Sequence, residues 1–309
     1  MMSRMSARIC RVNIHERLRI GLACLAMVSI LTGCSSESGH SRPQSMSSSG
    51  AVNLDGELVR ASNLGKPLII MVIESGQSRA DSAARSLVKV ASAKSRNDGI
   101  LFALLDISIS RNRATAMRFH VTNTPALFCL SAKGLIVSRD EAPIDRTLLS
   151  RRIEEVAQKS PELDAKLDLL TQSVNRNPDG VQAQLDLAEF LLERQNAREA
   201  IPHLEAVAHN EAADTTVRVH AWVDLVLAHF WISEPEKGRH EANDLIALLG
   251  PKTAEARAGG NLVLGIQDVN AKRMALARRE LEAAIAAAPN SGYAKQAAEA
   301  LAKLPGEAE

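Results

Sequence analysis

Ser75-Gly76-Gln77-Ser78 sets two hydroxyls around a Gly-Gln pair, between an apolar run at 68–73 and a helix-like stretch. A turn carried between a strand and a helix is a common seat for reactive side chains, because the rigid elements hold it in place. Acyl transfer through Ser75 is the first chemistry to weigh. The stretch is not Gly-x-Ser-x-Gly, and the nearest plausible base, His120, has no evident orienting acid. Ser75 therefore reads as a cap of the following helix rather than a nucleophile. The second chemistry is that of thiols. The chain has four cysteines, Cys10, Cys24, Cys34 and Cys129. Cys129 sits inside an apolar stretch, where alternation gives one face to the core and a free cysteine is commonly buried and inert.

Other reactive constellations are missing. Five of the eight histidines, His203, His209, His220, His229 and His240, fall in the second half without a His-x-x-x-His or His-Glu-x-x-His spacing. No metal or other cofactor is expected. No Walker loop or Gly-x-Gly-x-x-Gly occurs. Lys272, Arg273, Arg278 and Arg279 cluster, but Glu280 and Glu282 lie beside them, which suits a solvated helix face. The net charge is +1 and no basic stripe interleaves with aromatics, so nucleic acid is not an expected partner.

The elements that must position these residues emerge from composition and period. Arg4, Arg8, Arg11, Arg17 and Arg19 precede a twelve-residue apolar run over 20–31, too short to span a bilayer and of signal-peptide form. Leu31-Thr32-Gly33-Cys34 closes it. That tetrapeptide resembles the lipobox of bacterial lipoproteins, which implies cleavage before Cys34 and a lipid on its thiol. The alternative is an ordinary signal peptide with Cys34 incidental. Residues 1–33 carry five arginines and one glutamate, so their removal takes the net charge from +1 to −3. Cys129 is then the one remaining thiol if Cys34 is lipidated, and no intramolecular disulfide can form. The expected segments are a signal peptide over 1–33, the lipidated Cys34 with a Ser/Gly-rich linker over 34–50, an α/β domain over 51–159 and a helical repeat domain over 160–309.

Within 51–159 strands are expected at 57–60, 68–73, 100–107, 126–131 and 135–138. Helices are expected at 79–94, 111–119 and 145–158. Ala132-Lys133-Gly134 is a hairpin signal. Apolar strands between helices imply a sheet covered on both faces. Here "NLDGELVRASNLGKPLIIMVIE" and "ILFALLDISISRNRATAMRFHVTNTPALFCLSAKGLIV" are similar to the two halves of a thioredoxin-like domain. The resemblance makes Pro125, after Thr124, the family's cis-proline. It also puts Ser75, Gly76, Gln77 and Ser78 where the family carries Cys-Gly-Pro-Cys. Ile69 stands where the family has its buried acid, and Met71 and Glu74 replace the aromatics before the motif. A serine hydroxyl forms neither a thiolate near neutral pH nor a disulfide. The resemblance thus implies a redox-inactive version of the fold.

Ser160-Pro161 is expected to open the second domain as N-cap and first helical residue. Leu163, Leu167, Leu170 and Val174 give a leading helix. The chain beyond that helix resembles tetratricopeptide repeats, 34-residue helix pairs with small residues where the helices touch. A unit from Val181 matches with Leu187-Ala188, Ala200 and Leu204. A unit from Ala258 matches with Leu264-Gly265, Ala277, Leu281, Ala284 and Pro289. A looser unit spans 214–251, with Trp222, Phe230 and Trp231 on its first helix and a second helix over 236–249. Trp222 and Trp231 are nine residues apart and face opposite sides, so one belongs to the core. A final helix over 293–304 reads as the cap that a stack needs. In such repeats the first helix of each pair lines a concave groove. The resemblance puts Gln182, Leu185, Glu189 and Leu192 there, and Gly259, Leu262, Ile266 and Val269, which implies an apolar site for a protein or peptide partner; the alternative is a groove filled from within the chain, by the C-terminal helix or the thioredoxin-like domain.

A thioredoxin-like domain followed by such repeats resembles the YbbN/CnoX-type co-chaperones. The expected function is a redox-inactive, lipid-anchored scaffold or holdase-like co-chaperone that binds proteins at the bacterial cell envelope. Two alternatives stand beside it: an envelope thiol-disulfide oxidoreductase working through Cys129, and an assembly factor with one fixed partner.

Overall fold

The computed structural model describes residues 54–305 apart from 77–79, 81, 89–98, 111, 114–115, 117–118, 120, 122 and 142. The signal-peptide, lipobox and linker expectations fall outside the described residues. The described chain divides into two compact units that part between Asn177 and Pro178.

The first unit opens with α1 (Leu54–Leu64), then β1 (Leu68–Ile73), β2 (Leu101–Asp106), β3 (Ala126–Leu130), β4 (Ile136–Glu141) and α2 (Arg146–Arg176). Residues 82–88 are also helical. The strand expected at 57–60 is instead part of α1. Leu54, Leu58 and Ala61 recur at helical spacing and pack together against the sheet, and that burial outweighs the local alternation. The sheet order is β2-β1-β3-β4. β1 and β2 run parallel with Leu68 opposite Leu101 and Ile73 opposite Asp106. β3 is antiparallel to both β1 and β4, with an irregularity at Cys129/Leu130.

All six residues of β1 are buried, as a strand with both faces covered requires. Ile69, Met71 and Ile73 pack with Leu127, Cys129, Ala84, Val88 and Leu149 and Val156 of α2. Leu68, Ile70 and Val72 pack on the other face with Phe128, Leu130 and α1.

α2 begins where expected, with the Asp145 carboxylate accepting from the Leu148 amide at 2.7 Å. It does not stop before Pro161, which lies inside this one 31-residue helix. Proline lacks the N–H that would reach back one turn, a cost of about 3 kcal/mol in a helix interior. The β3–β4 turn offsets that cost by holding both sides of the break. The Ala132 amide donates to Ser160 Oγ at 3.3 Å, Ser131 Oγ donates to Asp164 at 2.5 Å, and Lys133 pairs with Asp168. The units consequently part some seventeen residues after the expected boundary at 160.

The second unit is a stack of helix pairs: α3 (Val181–Glu193) with α4 (Ala197–Ala208), α5 (Thr215–Trp231) with α6 (Pro235–Leu248), α7 (Ala254–Asn270) with α8 (Met274–Ala287), then α9 (Gly292–Leu301). Each helix packs on the next, and α5, α7 and α9 also pack in sequence. Glycines set the closest approaches. A Cβ on Gly265 would lie 2.8 Å from Leu281 and 3.3 Å from the Ala277 carbonyl, so three residues singled out by the repeat pattern meet at one crossing. The turn inside each pair holds a non-glycine residue in left-handed backbone: Gln195 (φ 58°), Ser233 (φ 62°) and Lys272 (φ 58°). The same backbone solution thus recurs in all three pairs. Trp222 is fully buried and Trp231 is not, which matches the opposite-face reading of the pair. Among the described residues no helix is long and apolar enough to cross a membrane.

Candidate functional site

The end of β1 and the end of β2 are neighbours because the strands run parallel and in register, Ile73 beside Asp106. That pairing carries Ser75, two residues on, to the Asp106 carboxylate. The Ser75 amide donates to Oδ1 at 3.2 Å and the Ser75 hydroxyl donates to Oδ2. The Ser108 amide and hydroxyl donate to Oδ1 at 3.1 and 2.7 Å. Arg85, from the helical segment 82–88, donates to Oδ2 at 2.8 Å and also to Ser75 Oγ. The buried Asn112 fixes the same strand end by donating to the Asp106 carbonyl at 2.9 Å. Gly76 comes next at φ 89°, a left-handed conformation that suits glycine and turns the chain out of the strand. Gln77 and Ser78 lie outside the described residues.

The Asp106 side chain is 16 % exposed. Its partial burial pushes the carboxyl pKa up, but the bonds from Ser75 and Ser108 outweigh burial and hold it at about 2. A carboxylate that acidic, with both oxygens occupied, is a poor general base for the Ser75 hydroxyl. Ser75 is therefore a strut: it ties the turn to β2 and accepts from Arg85. Its hydroxyl serves the carboxylate and the guanidinium; the amides that a helix cap at Ser75 would bind lie outside the described residues. Sequence reasoning misses Asp106, Arg85 and Ser108 as partners. The one signal for them is an acid at the close of an apolar run.

Within the sheet core Cys129 is fully buried, with its thiol pKa pushed up to about 12 by burial. It pairs with Ile69 across β1–β3 and with Ser138 across β3–β4. The Thr124–Pro125 bond is cis, at the place given to the cis-proline.

The groove expected in the helical unit is not an open apolar surface. Leu185, Leu192, Leu262 and Ile266 are all buried, at 5 % exposure or less. Glu189 and Val269 are half-buried. A Cβ on Gly259 would lie 2.8 Å from Val223 of α5 and 3.6 Å from the Tyr293 ring of α9. The face read as a groove is packed within the stack, and the Tyr293 hydroxyl lies 3.5 Å from His220 Nδ1 of α5. Among the described residues no group of three or more His, Cys, Asp or Glu could hold a metal ion. The chain matches no protein-family model and no curated protein.

Proposed function

We propose that this chain is a redox-inactive, lipid-anchored protein of the bacterial cell envelope that binds other proteins as a scaffold or holdase-like co-chaperone. In this reading the first unit is a thioredoxin-like domain and the second a tetratricopeptide-repeat-like solenoid. The mixed strand order β2-β1-β3-β4 and the cis bond before β3 support the first assignment. The three pairs with the same left-handed turn residue support the second. Cys34, as the lipidated residue, carries the anchor, and the Ser/Gly-rich stretch after it serves as the tether.

The observation that carries the reading is the closed network of Ser75, Asp106 and Arg85. Where a redox enzyme of this fold needs a thiolate, a hydroxyl is bound on both sides. Cys129 offers no substitute, because a buried thiol pushed up to about 12 stays protonated and unreactive at physiological pH. This weighs against the oxidoreductase alternative. Partner recognition then falls to surfaces other than Leu185, Leu192, Leu262 and Ile266.

A capture experiment from solubilised envelopes tests the function. The chain and its Cys34→Ser form are cross-linked in vivo and the partners identified. Many unfolded clients support the holdase reading, while one stoichiometric partner favours a dedicated assembly factor. Turnover in an insulin-reduction assay that disappears with Cys129→Ser would overturn redox inactivity.

A further inference from the structure

The sheet has two outer strands, β2 and β4, and they are finished differently. β4 carries Arg139, Asp140 and Glu141, its register with β3 is irregular at Cys129/Leu130, and Arg152 of α2 binds Asp140 at 2.6 Å. Charges and bulges are the usual protection of an outer strand against further pairing. β2 has neither over 101–105, Leu-Phe-Ala-Leu-Leu, and it pairs with β1 without a break in register. The Leu101 amide donates to the Pro67 carbonyl and the Ile107 amide to the Ile73 carbonyl, both at 2.8 Å. Backbone groups of successive strand residues point to opposite sides, so the odd-numbered residues face β1. Phe102 and Leu104 turn their N–H and C=O outward, and among the described residues no strand lies beyond them. Their side chains stand half-buried on the face of Ile69 and Met71, and Leu101 stands on the other.

We infer that the outer edge of β2 is a strand-addition site for an extended, uncharged apolar polypeptide segment. The inference rests on the protein-binding reading above and names a surface for it, since the face read as a groove is closed. Outward N–H and C=O groups select a backbone rather than a particular side chain. No charge lies between Ile100 and Leu105, and the Asp106 carboxylate that follows is bound by Ser75, Ser108 and Arg85. Nothing on the edge therefore favours a charged guest. Phe102 and Leu104 instead offer apolar surface to the alternate side chains of a guest strand. A second copy of the chain fits less well. Six residues of edge fall well short of the roughly 1,200 Å² that a stable interface between folded proteins buries. An extended segment needs no such area, because its main chain bonds directly to the strand, and a contact this small releases its guest readily.

Amide exchange over residues 101–106 tests the edge in the full chain, with the probe peptide acetyl-Thr-Val-Thr-Val-Thr-Val-amide. At saturating peptide the Phe102 and Leu104 amides should slow by about five- to ten-fold, the protection of a donor left free a small part of the time. The Ala103 and Leu105 amides, already turned to β1, should hardly change. Leu104→Pro removes the outward N–H and leaves the bonds to β1, a place where an outer strand tolerates proline. It should abolish the protection of Phe102. If that variant does not fold, Leu104→Lys sets a charge on the edge with the backbone intact and should weaken the same protection. No protection by the peptide, or protection unaffected by either variant, would overturn the site. So would slow Phe102 and Leu104 exchange without peptide: a dependence on protein concentration would give the edge to a second copy, and independence of it to the chain's own residues. Aggregation of the B chain of reduced insulin separates this inference from the reading it rests on. Peptide protection without suppression of aggregation keeps the edge and counts against the holdase reading. Suppression that survives in both variants keeps that reading and removes β2 as its surface.

Discussion

Ser75 donates twice to Asp106, through its amide and through its hydroxyl, so that one carboxylate closes the turn after β1 onto the end of β2. Arg85 reaches the same pair from the next helical segment. The result is a non-covalent staple at the place where the thioredoxin-like resemblance puts a pair of cysteines. Its strength should depend on charge and be independent of redox conditions.

Asp106→Ala should destabilise the first unit by about 2 kcal/mol, because hydrogen bonds to a charged acceptor are the stronger kind. Asp106→Asn should cost less. Acid should act on the parent in the same direction. The carboxyl is held at about 2 in the fold against an ordinary 3.8, so its contribution is complete above about pH 4 and lost as pH falls through about 2. Urea denaturation of parent and Asp106→Ala should therefore converge between pH 4 and pH 2. A constant gap over that range would mean that the side chain acts by packing alone.

Much of this architecture is legible in the sequence, and the departures have definite causes. β1 stands out because six consecutive apolar residues admit few other readings. α1 does not, because Glu57-Leu58-Val59-Arg60 alternates locally, while the deciding pattern, Leu54, Leu58 and Ala61, has a longer period. Pro161 reads as a helix start because proline is poor in interiors. The override is tertiary: Ser160, Asp164 and Asp168 are bound by the β3–β4 turn. No local pattern announces that contact. The Asp106 network is invisible for the same reason, since Ser75, Arg85 and Asp106 converge only once β1 and β2 are paired.

Cys129 should be inert in the native protein. Burial pushes its thiol up to about 12, so at pH 8 almost none is thiolate. Iodoacetamide and subsequent peptide mapping should leave Cys129 unmodified under native conditions and alkylate it fully in denaturant. Rapid native labelling would restore the thiol-based alternative.

Gln195, Ser233 and Lys272 hold left-handed backbone at φ near 60°. A side chain there costs roughly 1–2 kcal/mol relative to glycine, partly offset by the extra freedom glycine brings to the unfolded chain. Each substitution to glycine should therefore stabilise the helical unit by about 0.5–1 kcal/mol. Thermal melts of the three single variants check this, and a drop in stability for all three would mean the side chains make compensating contacts.

Gly265 should not tolerate a methyl group. A Cβ would come within 2.8 Å of both Cγ and Cδ2 of Leu281, a fully buried side chain with little room to retreat. Gly265→Ala should destabilise by about 1–3 kcal/mol, the usual range for overpacking, despite alanine's better helix propensity. Adding Leu281→Ala should recover part of the loss by opening the same crossing. Without any such recovery, the penalty would have to come from elsewhere than the α7–α8 contact.

Leu262 and Ile266 separate a recognition groove from a core. As groove residues they would accept aspartate with loss of partner binding and little loss of structure. They are instead 1 % and 5 % exposed, and the neighbouring Gly259 sits against Val223 and Tyr293. Leu262→Asp removes a buried aliphatic side chain, a loss of about 2–5 kcal/mol when truncation alone is counted. It also leaves a carboxylate without water or a partner, which costs more again. The double variant with Ile266→Asp should lose most of its helical circular dichroism from the second unit at room temperature. Gln182→Ala, on the same helix face as Leu185 but exposed, should melt as the parent does. A double aspartate variant that keeps its melting curve would return these positions to the surface, and the groove with them.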